Sequence, residues 1–270
     1  MLHSVKDMEN ATISATNGQI GHVKDIYFDD QVWVARYLVV NTGFWLTGRM
    51  VLISPISLGK ADWQEKTFPA IITKEQVEHS PSINTDKPIS RQNEEQYLDY
   101  YGYPFYWGGA SIWGDGLFPY AMEPYYPEYE ADRTVHLRKT EAYSRIEQIR
   151  RNVDDPHLRS CKNITGYKLI AKDGEIGHVT DFLIDEKTWA IHYLIVETSH
   201  WWSGHKVLIA PEWITGVHWP DKTVTVDLSQ DAVRISPSYD PKQEWNRDAD
   251  ITLYRHYHRK GYEASSITSE

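Results

Sequence analysis

The chain has 270 residues, a formal net charge of -10 and a single cysteine, Cys161. The acidic balance disfavours a nucleic-acid protein or a polybasic membrane anchor, because both bind phosphates through Lys and Arg. One cysteine excludes an intrachain disulfide framework and a cysteine-cluster metal site. The first residues lack the apolar core of a signal peptide, and no run approaches the ~18 apolar residues of a membrane helix. We therefore expect a cytoplasmic protein without a transmembrane segment.

An eight-residue stretch, Gly18 to Asp25, recurs 156 positions later from Gly174 to Asp181. The offset holds without a gap as far as Pro55 and Pro211, with 18 identities in 38 aligned positions. Average composition would give about two or three identities by chance. The pattern indicates an internal duplication, so the chain is organised as two copies of one unit.

Each copy opens with a predicted hairpin. An Asn-Gly dipeptide ends at Gly18 and an Asp-Gly dipeptide ends at Gly174, and both favour the positive φ of a tight turn. The strand that follows carries a second glycine, Gly21 or Gly177. A glycine inside a strand indicates a bulge or a close approach of another backbone.

The middle of each copy predicts a buried strand. Apolar runs from Trp33 to Val40 and from Trp189 to Val196 are typical of a strand buried on much of both faces. A loop that contains Trp45 or Trp201 follows, and a short strand then stops at a proline.

The end of each copy predicts a hairpin and two helices. The hairpin is clearest around the turn from Trp219 to Lys222. Thr73 and Gln76 have the spacing of a capping box at the start of a short helix. A second helix is predicted from Ser90 to Tyr101 and from Asn246 to Tyr257, with Ser90 and Asn246 as N-caps.

The segment between the copies has a different composition. From Tyr103 to Glu130 it is rich in Tyr, Trp, Pro and Gly, which predicts a linker of low regularity. The polar stretch from Arg133 to Arg151 predicts a helix fragment, and the ends before Asn10 and after Glu263 are expected to fray. The predicted domains are residues 10–101, a linker of 102–160, and residues 161–260.

The order of these motifs carries a resemblance. Gly-x-Ile-Gly-His-Val-x-Asp, a strand with Leu-x-Val, a Thr-x-x-Trp-x-x-Gly loop and Val-Leu-Ile-x-Pro occur in both copies. The chain resembles the PRC-barrel family, named for the photosynthetic reaction centre H subunit, over Thr12 to Pro81 and Ile164 to Pro237. The resemblance implies a mainly β protein: two small, strongly bent antiparallel β-barrels in tandem, with short helices after each. It also implies an assembly or docking module and no enzyme.

Residues with catalytic or metal-binding chemistry do not converge in the sequence. His22 and His178 recur, but Asp25 and Asp181 lie three residues further along the same twisted strand, which does not place both side chains on one ion. Duplicated acids at strand ends are more typical of hydrogen bonds to turn backbone. We therefore predict no metal, no cofactor and no catalytic residue. The repeated positions are assigned structural roles: Gly18, Gly21, Asp25, Gly174, Gly177 and Asp181.

Tryptophan gives the clearest functional hint. Trp45 and Trp201 recur in a glycine-flanked loop, with Trp202 beside the second. These rings either cap the open end of each barrel or form a docking surface, since tryptophan is enriched at interfaces. They are the candidate partner-binding residues. The aromatic linker allows two interpretations as well, because it either packs across the barrels or binds a partner.

We therefore expect a non-enzymatic binding module that docks a protein partner. One alternative is a role like that of the reaction centre H subunit, supporting electron or proton transfer. Another is ribosome assembly, which the acidic charge disfavours unless the partner is a basic protein. We also expect the two barrels to pack on each other as an intramolecular pseudo-dimer, because duplication converts pairing of exposed sheet edges into an intramolecular step.

Overall fold

A computed structural model describes residues 1–81, 89, 91–107, 109–122, 157–198, 205–243 and 245–259. The chain divides into two compact units. The N-terminal unit comprises Val5–Lys162 and Asp185–Ala190, and the C-terminal unit comprises Met1–Ser4, Asn163–Ile184 and Ile191–Glu270. Each unit therefore takes a short segment from the part of the sequence that holds most of the other.

The N-terminal unit is built on a six-stranded sheet. Five of its strands follow the order β5-β4-β3-β2-β6, and the sixth, β7, pairs with part of β3. Its strands are β2 (Thr12–Ala15), β3 (Gly18–Asp29), β4 (Val34–Asn41), β5 (Met50–Ile53), β6 (Thr67–Pro69) and β7 (Leu158–Ser160). All but the last residue of β4 are buried, as its continuous apolar run predicts.

The C-terminal unit is built on a seven-stranded sheet with the order β11-β10-β9-β8-β13-β12, and β1 pairs with β9. Its strands are β1 (Leu2–Ser4), β8 (Lys168–Ala171), β9 (Gly174–Asp185), β10 (Ile191–Thr198), β11 (Lys206–Ile209), β12 (Ile214–His218) and β13 (Thr223–Val226). The long strands β3 and β9 begin and end 156 residues apart. The protein is thus mainly β, with two sheets.

The C-terminal sheet is strongly curled. Its two end strands are joined only by Ala210 and the 3₁₀ turn Pro211–Trp213. The five Cα-to-Cα steps from Ile209 to Ile214 span at most ~18 Å, whereas the outer strands of a flat six-stranded sheet lie ~24 Å apart. The ends of the sheet must therefore bend toward each other, although strand pairing closes neither sheet in the described part of the chain.

Both sheets are mixed, which corrects the purely antiparallel sheets that the resemblance implies. β2 runs parallel to β6, with Thr12 opposite Thr67, and β8 runs parallel to β13, with Lys168 opposite Thr223. In the C-terminal unit, the 3₁₀ turn joins β11 to β12, which runs in the same direction, and the hairpin from β12 to β13 then places β13 parallel to β8.

Trp33 and Trp189 are not strand residues, contrary to the prediction. Both lie in the turn before the strand with positive φ, 55° and 58°. Each backbone N–H donates to the carbonyl oxygen four residues earlier, Asp29 or Asp185. Closing this turn requires a left-handed residue, a conformation that costs a bulky side chain about 1–2 kcal/mol.

The second glycine of each long strand lies where two backbones touch. A Cβ atom on Gly21 would lie 2.0 Å from the carbonyl oxygen of Asn41, and one on Gly177 would lie 2.0 Å from that of Glu197. Gly18 and Gly174 have φ of 140° and 147°, values outside the usual range of other residues. The structure therefore has the predicted tight turns at Gly18 and Gly174 and the predicted close approach of a second backbone at Gly21 and Gly177.

The helices are short. The N-terminal unit has α1 (Val5–Met8), α2 (Lys74–Glu78) and α3 (Arg91–Tyr101); α4 (Cys161–Ile164) joins the units in sequence, and the C-terminal unit has α5 (Gln230–Arg234) and α6 (Arg247–His256). The capping box of Thr73 and Gln76 is present, and the side chain of Asn246 caps α6. Ser90 lies outside the described residues.

The N-terminus is ordered, which corrects the prediction of a frayed end. Leu2–Ser4 pairs with β9, and Met8 is completely buried. These contacts are between residues distant in sequence, so local composition did not reveal them. The predicted helix fragment from 133 to 151 and the end after 263 lie outside the described residues.

Within the described ranges, the structure contains no helix that combines the length and the apolar character needed to cross a membrane.

Replacing Gly21 with Ala should destabilise the protein by about 3 kcal/mol or more, because the new Cβ overlaps a backbone oxygen that cannot move aside as a side chain would. Gly59 is a matched control, since a Cβ there would lie 3.4 Å from the Pro69 ring, an ordinary contact. Urea unfolding monitored by circular dichroism measures both variants. Equal midpoints for Gly21→Ala and Gly59→Ala would contradict the close approach.

Candidate functional site

The N-terminal unit contains a pocket of about 440 Å³. This volume lies within the usual range for ligand sites, and its lining is mostly apolar and aromatic. The lining residues are Pro55, Leu58, Gly59, Lys60, Ala61, Trp63, Phe68, Pro119, Tyr120, Glu186, Lys187 and Trp189. We call it the aromatic pocket.

Three rings form one side of the aromatic pocket. Trp63 meets Phe68 edge to face, with ring centroids 5.2 Å apart, and Phe68 lies 6.3 Å from Trp189. The indole N–H of Trp63 donates to a carboxylate oxygen of Glu186 at 3.1 Å. Ring packing and this hydrogen bond fix the orientation of the side chains before any ligand enters.

The turn of residues 185–190 supplies a second side of the aromatic pocket. The side chain of Asp185 accepts from the backbone N–H groups of Lys187 and Thr188, at 3.1 and 2.8 Å. The carbonyl oxygen of Trp189 accepts from the N–H of Ala35 at 2.8 Å, which ties the turn to the start of β4. The left-handed backbone of Trp189 is therefore held by its surroundings, with its ring buried against the pocket.

The aromatic segment, residues 103–122, supplies the third side through Pro119 and Tyr120. Trp113 anchors this segment, because its ring is fully buried and its indole N–H donates to the carbonyl oxygen of Thr188 at 2.7 Å. Phe118 stacks on the largely exposed Tyr120, with centroids 5.1 Å apart. The described part of the predicted linker is therefore packed within one unit.

A buried arginine holds the aromatic segment on the sheet. The guanidinium of Arg36, on β4, lies 3.8 Å from the ring centre of Tyr106 and 4.5 Å from that of Trp113. Its Nη2 atom is 4.0 Å from a carboxylate oxygen of Asp29. Burial lowers the pKa of Arg36, and the nearby Tyr106, Asp29 and Glu94 oppose that effect. Two rings and two carboxylates thus replace the water that this cation loses.

The carboxylate of Glu94, on α3, is the common acceptor of this cluster. It accepts from the hydroxyl groups of Tyr37, at 3.2 Å, and Tyr106. The His157 Nε2 atom lies 2.7 Å from its other oxygen, off the direction of an ideal N–H bond. Burial, followed by the charge of Glu94, raises the pKa of Tyr37 well above its usual value. We call Arg36, Glu94 and these partners the Glu94 cluster.

Trp45, one of the candidate partner-binding tryptophans, is not among the residues that line the aromatic pocket. Trp45 donates its indole N–H to the carbonyl oxygen of Ile20 at 2.6 Å, and Lys74 Nζ lies 4.3 Å from the centre of its ring. The polar atom and one face of the Trp45 ring are therefore already engaged within the protein. Trp201 and Trp202 lie outside the described residues.

The repeated acids contact backbone and hydroxyl groups. Asp25 accepts from the N–H groups of Ile26, at 2.7 Å, and Lys162, at 3.2 Å, and from the hydroxyl of Ser160. Asp181 is buried and accepts from the N–H of Phe182 at 2.8 Å. Among the described residues, no group of three His, Cys, Asp or Glu side chains is placed to hold a metal ion.

Sequence reasoning missed the aromatic pocket. Trp63 has a counterpart at Trp219, but Phe68 is replaced by Val224 in the second copy, so no repeated motif marks the site. Trp189 was assigned to a strand, which places its ring elsewhere. The usable signal was the density of aromatic residues in the segment that follows Tyr103.

Comparison with known proteins gives one family match. Residues 156–238 match the family model described as PRC-barrel domain. This span contains β7 to β13, α4 and α5. No match was found among curated proteins.

Replacing Asp25 with Asn should remove one source of pH dependence. Burial is the main influence on this carboxyl and raises its pKa above 3.8, while the Ser160 hydrogen bond partly opposes the shift. The folded state therefore binds the proton more tightly than the unfolded state, so this contribution is fully present below about pH 4 and declines as pH rises through the raised pKa.

Urea unfolding at a series of pH values measures the contribution of Asp25 protonation to the free energy of unfolding. The difference in unfolding free energy between the wild type and Asp25→Asn should change between pH 4 and the raised pKa, with the wild type losing stability relative to the variant as pH increases. Asp62→Asn, at an exposed turn position, serves as the control. A difference that is constant with pH would contradict the assignment.

Proposed function

We propose that this protein is a non-enzymatic binding and assembly module, built from two PRC-barrel-type domains in tandem, that docks a protein partner through the aromatic pocket. The observation that carries the proposal is the aromatic pocket itself, together with the family match of residues 156–238. Tryptophan and tyrosine side chains around a preformed cavity are typical of interface anchors.

The composition of the pocket favours binding over catalysis. Its lining contains no serine, threonine, cysteine or histidine, so among these residues there is no hydroxyl, thiol or imidazole of the usual nucleophiles and bases apart from the Tyr120 phenol. The one carboxylate, Glu186, already accepts the Trp63 indole N–H. The chemistry offered is a shaped apolar surface with charges at its rim.

Three correspondences support the tandem arrangement. The hairpin glycines Gly18 and Gly174 have nearly the same φ, and the long strands β3 and β9 begin there. The hydroxyl of Tyr37 donates to Glu94, and the hydroxyl of Tyr193 donates to Asp250, at positions 156 residues apart. In each copy, therefore, a tyrosine–carboxylate hydrogen bond connects a strand to a later helix: β4 to α3 in the first copy, and β10 to α6 in the second.

Strand exchange supports the pseudo-dimer as part of this proposal. β1 and β7 also stand 156 residues apart, and each pairs with the long strand of the opposite copy: β1 with β9, and β7 with β3. Exchange of an equivalent element is a common route to dimers, and a duplicated chain can use it internally.

Affinity capture from the native cell tests the docking site. Tyr120→Ala removes an exposed ring, and Ala61→Glu places a charge at the half-buried rim of the aromatic pocket. Capture of a specific partner should fall about tenfold or more for both variants, as expected when an anchor is lost. Quantitative mass spectrometry measures the captured protein.

Phe44→Ala is the matched control, since this fully exposed ring is outside the pocket lining. It should capture the partner as the wild type does, and circular dichroism should show that all three variants are folded. Undiminished capture by both pocket variants would contradict the proposal.

A further inference from the structure

We infer that the segment bound in the aromatic pocket is an acidic peptide stretch, with a large apolar or aromatic side chain that enters the cavity. This inference rests on the proposed docking function and specifies the chemistry of the partner. It assigns the recognition of the partner's charge to Lys60 and Lys187.

The cavity selects a large apolar side chain. Its lining combines two prolines and aliphatic residues with the rings of Trp63, Phe68, Trp189 and Tyr120. Aromatic rings prefer offset or edge-to-face contact with other rings, and a buried aromatic side chain removes 150–250 Å² from water on the general scale. An aromatic or long aliphatic side chain is therefore the group that gains most from this surface.

The charges at the rim of the pocket determine which residues are favoured beside that side chain in the bound peptide. Lys60 and Lys187 are exposed lining residues, whereas the Glu186 carboxylate is already engaged by the Trp63 indole. Two lysines against one glutamate give the pocket a net charge of +1, in a chain whose formal charge is -10. The pocket is therefore locally cationic.

The overall negative charge does not cancel this local preference. At physiological ionic strength, exposed charges separated by more than ~8 Å are largely screened from one another. A peptide seated in the cavity is influenced mainly by the charges at its rim. The -10 of the whole chain lowers the association rate of an acidic partner more than it lowers the stability of the seated complex.

Dye-labelled five-residue peptides with a central tryptophan provide the probe. The flanking residues are all Asp, all Asn or all Lys, and binding is measured by fluorescence anisotropy with the full-length protein. We expect the Asp-flanked peptide to bind most tightly. Replacing both Lys60 and Lys187 with Gln should weaken its binding by about tenfold, since each exposed charge pair contributes about two- to fivefold.

The Glu186→Gln variant shows whether the pocket prefers an acidic or a basic peptide, because loss of this negative charge should strengthen binding of the first and weaken binding of the second. The amide oxygen can still accept the Trp63 indole N–H, so the variant removes charge while it keeps the hydrogen bond. It should bind the Asp-flanked peptide about two- to fivefold more tightly. Lys242→Gln, an exposed lysine in the C-terminal unit, should bind as the wild type does.

Three results would overturn the inference. One is equal binding of the Asp- and Asn-flanked peptides, and another is tightest binding of the Lys-flanked peptide, with Glu186→Gln weakening it. The third is no saturable binding of any peptide up to millimolar concentration. If capture of the cellular partner still depends on Tyr120 and Ala61, the proposed function stands and only the charge assignment fails.

Discussion

The N-terminal unit depends on the burial of one carboxylate, that of Glu94. A buried ion is costly unless several groups replace its water, and Glu94 contacts polar groups from three parts of the chain. Tyr37 on β4 and Tyr106 in the aromatic segment donate their hydroxyl groups, and the Nε2 atom of His157, just before β7, lies 2.7 Å from the other carboxylate oxygen. The aromatic segment is thereby fixed to a sheet and a helix. The nearby Arg36 supplies an opposite charge, and Asp29 is a second carboxylate beside that guanidinium.

The Glu94 cluster connects the core to the aromatic pocket. Arg36 lies against the ring of Trp113, and the Trp113 indole N–H binds the turn that carries Trp189. The C-terminal unit has a simpler version, in which Asp250 accepts from Tyr193 and from the indole of Trp245. The shared bond docks a helix on a sheet, while the additional donors of the N-terminal unit hold the aromatic segment. The pocket is therefore tied to contacts that the C-terminal unit lacks in its described residues.

Sequence reasoning predicted the features that local chemistry determines. Hairpin glycines, strands that end at prolines and the capping box at Thr73 follow from the preferences of a few neighbouring residues, and the backbone has them. It did not predict the features that depend on distant partners. Leu2–Ser4 is ordered by pairing with β9, and Trp63 and Trp189 line one pocket only after the chain has folded. Trp189 was assigned to a strand because its apolar neighbours outweighed the need for a left-handed residue to close the turn.

Hydrogen exchange of the Glu94→Gln variant, followed by mass spectrometry, tests the central claim most directly. The substitution keeps the shape of the side chain and removes its charge, which leaves Arg36 buried with Asp29 as its nearest carboxylate partner. The account predicts that protection falls selectively in residues 103–122 and 157–160, whereas β8 to β11 of the C-terminal unit stay protected. Unchanged protection in residues 103–122, or an equal loss throughout both units, would contradict the account.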